Sequence, residues 1–283
     1  MLKLPLIISV LTVTLFAENK YQVNFISHQE NYILFAGHSN NTLTQKYWNS
    51  NGTRNYSKEY KRDSNEAQFQ LSFKIPLANN LLDTQANLFF AYTQNSFWQV
   101  YDKKHSSPFR ETNYMPEIFA EWHPTYKIGN SSLDKVRLSL VHQSNGKDIG
   151  ASRSWNRTQL HLLFKNENLS YGIDIWDRWN EKTKKSIDKA TGDDNPDLEK
   201  YIGKQKYFIE YKSDNYKLVL SHQNDIFNYD SSKGNTKVDF IFPSMHKKID
   251  FFIRYFNGYG ESLIDYDVKI QRVGFGVMLA SWE

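Results

Sequence analysis

The chain of 283 residues has no cysteine, which removes disulfides, thiolate metal sites and cysteine nucleophiles from the available chemistry. That absence leaves the compartment open, because an oxidising space does not oblige a protein to use disulfides. Long apolar runs are also missing. Hydrophobic residues make up 40% and mean hydropathy is −0.66, and beyond residue 17 nothing approaches the roughly 18 consecutive apolar residues that a spanning helix needs. A helical membrane protein is excluded. Charge of one sign is scarce as well, with 35 basic against 31 acidic residues and a formal net charge of +4. No basic block is interleaved with aromatics, so nucleic acid is not an expected partner. Glycine and proline are modest at 13 and 7 residues. No linker, low-complexity tract or repeat beyond a recurring hairpin divides the chain, and one domain is expected.

Aromatic residues are what the chain has in quantity: 18 Tyr, 19 Phe and 7 Trp, 16% of the total. Large amphipathic rings are favoured where protein meets a membrane interface, and a β-barrel needs them at both rims; a large aromatic core is the other reading. The first residues, MLKLPLIISVLTVTLFAENK, place one lysine before an apolar run from Leu4 to Phe16 and then Ala17 before a charged residue. This reads as a secretory signal over 1–17 cleaved after Ala17, leaving a single domain over 18–283. Leu15 is larger than the small residue usual two positions before a cut, and a buried N-terminal strand or helix is the alternative.

The remaining sequence alternates with period two. Phe69, Leu71, Phe73 and Ile75 alternate with Gln70, Ser72 and Lys74, and Leu138 and Leu140 alternate with Arg137 and Ser139. Each such strand has one apolar face. Further strands are expected near 30–37, 85–100, 114–123, 152–164, 168–178, 202–213, 215–226, 235–243, 248–257 and 268–281, which with the two above makes about twelve. Their connectors are polar and alternate between long and short, as in an outer-membrane barrel with loops on one side and turns on the other. The polar faces carry Lys74, Glu117, Glu121, Arg137 and Arg157, charges hard to place in a compact core and easy to place in a hydrated lumen. The expected fold is all-β, a twelve-stranded antiparallel transmembrane barrel. The C-terminal RVGFGVMLASWE is a suitable closing strand, although Glu283 follows Trp282 where such barrels usually end on an aromatic.

One stretch, VHQSNGKDIGASRSWN from Val141 to Asn156, carries candidate chemistry. His142 and Ser144 continue the apolar row of Leu138 and Leu140, and on the following strand Asn156 and Ser154 extend the row of Thr158, Leu160, Leu162 and Phe164. If Leu138 opposes Leu160 in an antiparallel hairpin, Leu140 opposes Thr158 and His142 opposes Asn156, on one face and within reach. His142 then bridges Ser144 and Asn156, the arrangement of an activated serine. Asparagine orients the imidazole without a formal charge, which suits a low-dielectric lipid boundary where a carboxylate would be costly to desolvate. The loop between the strands, with Lys147, Asp148, Gly150 and Ser152, offers oxygens able to hold a hard cation such as Ca²⁺. H-x-S alone is a weak motif, and polar residues belong at a barrel rim by default. Trp155 has the opposite parity from Asn156 and reads as lumen packing. His28 and His222 imitate the dipeptide without a serine two positions on. Asp265 and Tyr266 are expected near the last periplasmic turn, in structural hydrogen bonds.

At HQSNG from His142 and SRSWNR from Ser152 the sequence resembles the outer-membrane phospholipase A family, as it does at SSPFRETNY from Ser106, YTQNSFWQ from Tyr92 and YFNGYGESLIDY from Tyr255. The resemblance covers nearly the whole chain after the leader. It implies a twelve-stranded barrel of the bacterial outer membrane that hydrolyses acyl esters of phospholipids and lysophospholipids, requires calcium and acts as a homodimer. It also implies roles: Ser144 as nucleophile, His142 as base, Asn156 as orienting group. Calcium would be held by the Ser152 hydroxyl, the Lys147 carbonyl and the partner's counterpart of Ser106, with two waters on the ion polarised towards the oxyanion. Gln94 would lie at the dimer interface. Lysine stands at 147 where the family has arginine, a departure that a carbonyl ligand tolerates, and Asp148 is expected to face water. The rival readings are a small porin or adhesin barrel, in which the trio decorates the rim, and a soluble secreted β-sheet esterase.

Overall fold

The computed structural model describes residues 24–40, 44–48, 54–61, 63–148, 150–184, 191–244 and 248–279. The expected leader over 1–17 and the extreme C-terminus lie outside the described residues. Twelve strands close into one antiparallel barrel: β1 (Tyr32–Ser39), β2 (Asn65–Leu81), β3 (Ala86–Trp98), β4 (Phe109–Trp122), β5 (Ser131–Ser144), β6 (Ser154–Asn166), β7 (Leu169–Arg178), β8 (Gln205–Lys212), β9 (Lys217–Asn224), β10 (Asn235–Pro243), β11 (Ile249–Gly258) and β12 (Ile270–Leu279). Each pairs with the next, and β12 pairs with β1, Gly274 opposite Gly37. Closure leaves no open edge, which is the condition for a sheet to stand in lipid, where unpaired backbone groups find no water.

All twelve expected strands are present. Several run further than their apolar rows, β2 from Asn65 and β4 from Phe109, because backbone pairing with a neighbour continues after the hydrophobic alternation ends. The connector between β1 and β2, polar as expected, contains a second small sheet, Thr44–Trp48 paired with Arg54–Lys61.

One end of the barrel has short turns. Leu82, Asp83 and Gln85 adopt positive φ between β2 and β3, and Glu167 does so in the two-residue turn between β6 and β7. The other end has the long connections, 40–64, 99–108, 145–153, 179–204, 225–234 and 259–269. The segment 259–269 is therefore on the long-loop end, and the expectation that Asp265 and Tyr266 sit at the last periplasmic turn is corrected. Their hydrogen bonding is structural as expected: Asp265 pairs with Arg110 and Tyr266 Oη donates to Asp197. Mixed apolar and polar residues, ESLIDY, let this loop fold into the barrel mouth. There Leu263 and Tyr266 pack with Leu198, Ile202, Trp155 and Trp176.

The outer wall is apolar. Ile33, Phe35, Leu71, Ile118, Leu138, Leu140, Ile253 and Phe275 all point outward and are exposed, a belt far larger than the patches that soluble monomers tolerate. The inner wall is polar, and its charges are paired. Arg110 reaches Glu66 and Asp265 at 2.7 Å each, and Arg272 joins the same Glu66 oxygen at 2.7 Å. Arg254 grips Asp239 through two bonds of 2.7 and 2.8 Å. Glu121 takes Lys74 at 2.9 Å and Arg137 at 3.1 Å. Lys74, Glu117, Glu121, Arg137 and Arg157 therefore face inward as expected. The segment before β1 enters the lumen too: His28 lies 3.0 Å from Glu117 and stacks on Phe119. An interior filled by these pairs and by Phe97, Phe119 and Phe252, all nearly without solvent contact, is a packed core rather than a channel, contrary to the porin reading.

Replacing Arg110 by alanine leaves Glu66 and Asp265 without the guanidinium that bridges them. A destabilisation of about 3–5 kcal/mol is expected for breaking one partner out of such a buried network, read as a lowered midpoint in urea unfolding from detergent micelles; an unchanged midpoint would deny the network its structural role.

Candidate active site

The hairpin of β5 and β6 has the register that parity required: Leu138 opposes Leu160, Leu140 opposes Thr158, His142 opposes Asn156 and Ser144 opposes Ser154. A slip of one residue would turn the whole row to the lumen. It does not occur, because Val141, Trp155 and Arg157 are buried inside and Leu138 and Leu140 cover the outside. Trp155 donates through Nε1 to Gln143 at 3.1 Å, meets Trp176 edge to face at 6.4 Å and carries the Arg157 guanidinium over its ring at 4.1 Å. The inner face of the hairpin is thereby fixed, and the outer face inherits its position.

On that outer face His142 and Asn156 are bonded, Nδ1 to Oδ1 at 2.8 Å. An amide oxygen only accepts, so Nδ1 carries a proton, and in the neutral ring Nε2 is the nitrogen with the lone pair. Ser144 follows two residues along the same strand, about 6.6 Å away at Cα given the rise of a β-strand, on the same side of the sheet. Its hydroxyl makes no hydrogen bond among the described residues. Such bonds commonly form only when substrate is seated. The Asn156 amide is itself held, Nδ2 donating to Glu181 at 3.1 Å. Glu181 follows β7 on a stretch tied to β6 by Trp179, whose backbone N–H donates to the Asn156 carbonyl at 2.9 Å and whose indole donates to Thr158 at 3.0 Å.

A cross-strand histidine pair is not unique to this place. His38 bonds Asn65 and His222 bonds Thr236, both at 2.9 Å. Two positions beyond them stand Asn40 and Asn224, so only the His142 pair has a hydroxyl in the third place. His28 is bound to Glu117 in the lumen, off the outer row that carries His142.

The loop 145–153 is organised by Asn145, which sequence reasoning passed over inside the SNG turn. Its Oδ1 accepts from Arg153 N at 2.8 Å and Lys147 N at 3.4 Å, and its Nδ2 donates to the Ala151 carbonyl at 2.9 Å. Ser152 N donates to the Asp148 carbonyl at 2.8 Å, closing the turn. Gly146 has φ +60°, and a Cβ there would lie 3.0 Å from the Tyr114 ring, so glycine is needed both for the backbone and for the tyrosine beside Ser144. Lys147 and Ser152 thus belong to one tight turn whose carbonyl and hydroxyl oxygens suit a hard cation. The Lys147 ammonium is engaged by the Arg110 carbonyl at 2.9 Å, and Asp148 is exposed as expected. Ser106 is exposed on another loop, at φ 60° behind the short turn Lys103–His105. No hydrogen bond joins it to the 145–153 turn among the described residues. The His105 imidazole, 2.8 Å from Asp102, steadies this loop and holds the Asp102 carboxyl below its usual range.

Gln94 points outward on β3, bonded to Tyr92 Oη and Ser96 Oγ at 3.1 Å each. Gln94 opposes Tyr114, and Tyr114 opposes Ser144, so all three lie on one cross-strand row. Gln94 and Ser144 are about 10 Å apart, two interstrand spacings.

Residues 14–279 match the family model for phospholipase A1. A curated phospholipase A1 of Salmonella typhimurium is 37% identical over 227 residues, 80% of this chain and 73% of that protein. Among solved structures, the Salmonella typhi outer membrane phospholipase dimer with bound calcium superposes with a TM-score of 0.78 at 31% identity, covering 93% of this chain and 94% of that one. An active-site mutant of the Escherichia coli outer membrane phospholipase A, with an asparagine changed to alanine, gives 0.77 at 29% identity, covering 93% and 94%.

Asn145→Ala removes three hydrogen bonds from the 145–153 turn. At about 1 kcal/mol each, the amides of Lys147 and Arg153 should exchange with deuterium at least tenfold faster while those of β5 and β6 stay protected; unchanged exchange would show that the turn is held by something else.

Proposed function

The chain belongs to the phospholipase A1 family, and on that premise we propose that this outer-membrane barrel hydrolyses acyl esters of phospholipids and lysophospholipids by a Ser144, His142 and Asn156 mechanism. The observation that carries the reading is the 2.8 Å bond from His142 to Asn156 on the lipid-facing wall, with a serine on the same row. A phospholipid whose acyl tails lie along the apolar belt brings its ester linkages to the upper end of that wall.

As Ser144 Oγ attacks the ester carbonyl carbon, its proton passes to Nε2 of His142. The resulting imidazolium keeps Nδ1–H on Asn156 Oδ1 and then gives its Nε2 proton to the leaving glycerol oxygen as the C–O bond breaks. Water, deprotonated by the same Nε2, attacks the acyl-serine, and collapse releases the fatty acid with the proton returned to Ser144. Asparagine stabilises the imidazolium less than aspartate would, and avoids a carboxylate beside lipid. Lys147 through its carbonyl and Ser152 through its hydroxyl would hold a calcium ion together with the partner's counterpart of Ser106. Bound there, the ion supplies the positive charge that steadies the oxyanion. The exposure of Ser106 on a loop other than the Lys147 turn fits a ligand donated between two copies of the chain.

The same division of ligands makes the homodimer the active form. Gln94, outward on the row of Ser144, is the polar contact across lipid that would join the two barrels near the site. The closed, packed lumen favours this enzyme over a porin, and the apolar outer belt favours a membrane protein over a soluble esterase.

Ser144→Ala should lower phospholipid hydrolysis in detergent and calcium by at least about a thousandfold, as for loss of a serine nucleophile, and a chelator should silence the parent protein; turnover retained by the variant removes the mechanism. Gln94→Ala should weaken dimerisation by about 0.6–2 kcal/mol in sedimentation equilibrium in micelles, with activity per dimer kept. A dimer of undiminished strength would place the contact elsewhere.

A further inference from the structure

We infer that Glu181 is a positioning residue for this site, fixing which way the Asn156 amide faces. The inference rests on the proposed triad. An asparagine side chain has nearly the same shape in its two amide orientations, and only one of them serves a base. With Oδ1 towards His142, Nδ1 keeps its proton and Nε2 can accept one. With Nδ2 towards His142, the imidazole must carry its proton on Nε2 and loses the ability to deprotonate Ser144. An aspartate in this place would have no such ambiguity, so the choice of asparagine creates a need for something that selects the amide face.

Glu181 meets that need. Its Oε1 lies 3.1 Å from Asn156 Nδ2, and an ionised carboxylate only accepts. The flipped amide would set an oxygen against that carboxylate and exchange a charge-assisted bond for a repulsion. The carboxylate also polarises the amide, drawing electron density towards Oδ1 where the imidazolium forms, so part of the charge absent from asparagine is supplied one bond further out.

Glu181 is held to the task by its neighbours. The backbone and indole bonds of Trp179 to Asn156 and Thr158, at 2.9 and 3.0 Å, carry the chain past the end of β7 directly alongside the site. Beyond Glu181, Lys184 is paired with Asp194, and before it Arg178 is bonded to the Asn195 carbonyl, so both flanks of the stretch are anchored to the 191–197 segment. No ion pair of Glu181 competes for the carboxylate among the described residues.

The test uses the purified full chain in micelles with calcium and a monomeric short-chain phosphatidylcholine. Glu181→Ala should lower kcat about five- to twentyfold with KM unchanged, the signature of an interaction made in the transition state, while Glu181→Gln, whose oxygen still accepts, should keep most of the rate. In an Asn156→Asp background the sign should invert: there Glu181→Ala relieves a carboxylate pair and raises kcat. A merely structural Glu181 would lower activity in both backgrounds. The Nδ1–H resonance of ¹⁵N-labelled His142 should be present in the parent and weakened in Glu181→Ala. A Glu181→Ala protein with unchanged kcat, or one that loses the same factor in both backgrounds, overturns the inference. If Ser144→Ala stays active, the triad itself falls; if Ser144→Ala is inactive while Glu181→Ala matches the parent, only the role of Glu181 falls.

Discussion

The bond between His142 and Asn156 depends on the register of one hairpin, and the chemistry proposed for the chain depends on that bond. Side chains on a sheet alternate, so the choice between lipid and lumen is made for every residue of β5 and β6 together. Val141, Gln143, Trp155 and Arg157 hold the inner side by burial, ring contact and hydrogen bonds. Leu138, Leu140 and Leu160 occupy the outer side. Given those, His142 and Asn156 have nowhere to be except opposed on the outer wall, at 2.8 Å.

The interior supplies the rigidity that this arrangement requires. A barrel whose charges were solvated by a water-filled lumen would leave its outer rows free to breathe. Here Glu66 receives two guanidinium groups, Asp239 is gripped by Arg254, Glu121 is shared by Lys74 and Arg137, and Asp174 by Lys206 and His161. Breaking any one of these leaves a buried charge, and that penalty, more than the attraction itself, keeps the network intact. At the long-loop end Tyr266, Leu263 and Leu198 close over Trp155 and Trp176, so the wall that bears the site is backed by packed side chains instead of solvent.

Much of this was legible in the sequence because a barrel strand writes its two faces into alternate positions. The twelve strands, the inward charges and the opposition of Leu138 to Leu160 all follow from parity, which is a local property. What depended on distant contacts was not legible. The end of the barrel at which Asp265 lies is not written in ESLIDY, which looks like neither a polar loop nor a turn; it is decided by Arg110, 155 residues away. Asn145 is hidden in an ordinary SNG turn, its role visible only once Arg153 and Ala151 come back to meet it. Glu181 lies 25 residues from Asn156 in a charged connector, where nothing local separates it from its solvent-facing neighbours. The roles of Ser106, Lys147, Ser152 and Gln94 came from resemblance alone, since a hydroxyl, a carbonyl and an amide leave no pattern of their own.

The central claim is that His142 activates Ser144 on the outer wall, and covalent capture tests it most directly. Treating the calcium-loaded protein in micelles with a long-chain alkylsulfonyl fluoride and mapping the adduct by mass spectrometry should find it on Ser144, with labelling lost in His142→Ala. An adduct on another residue, or labelling of Ser144 at the same rate without the histidine, would contradict the account.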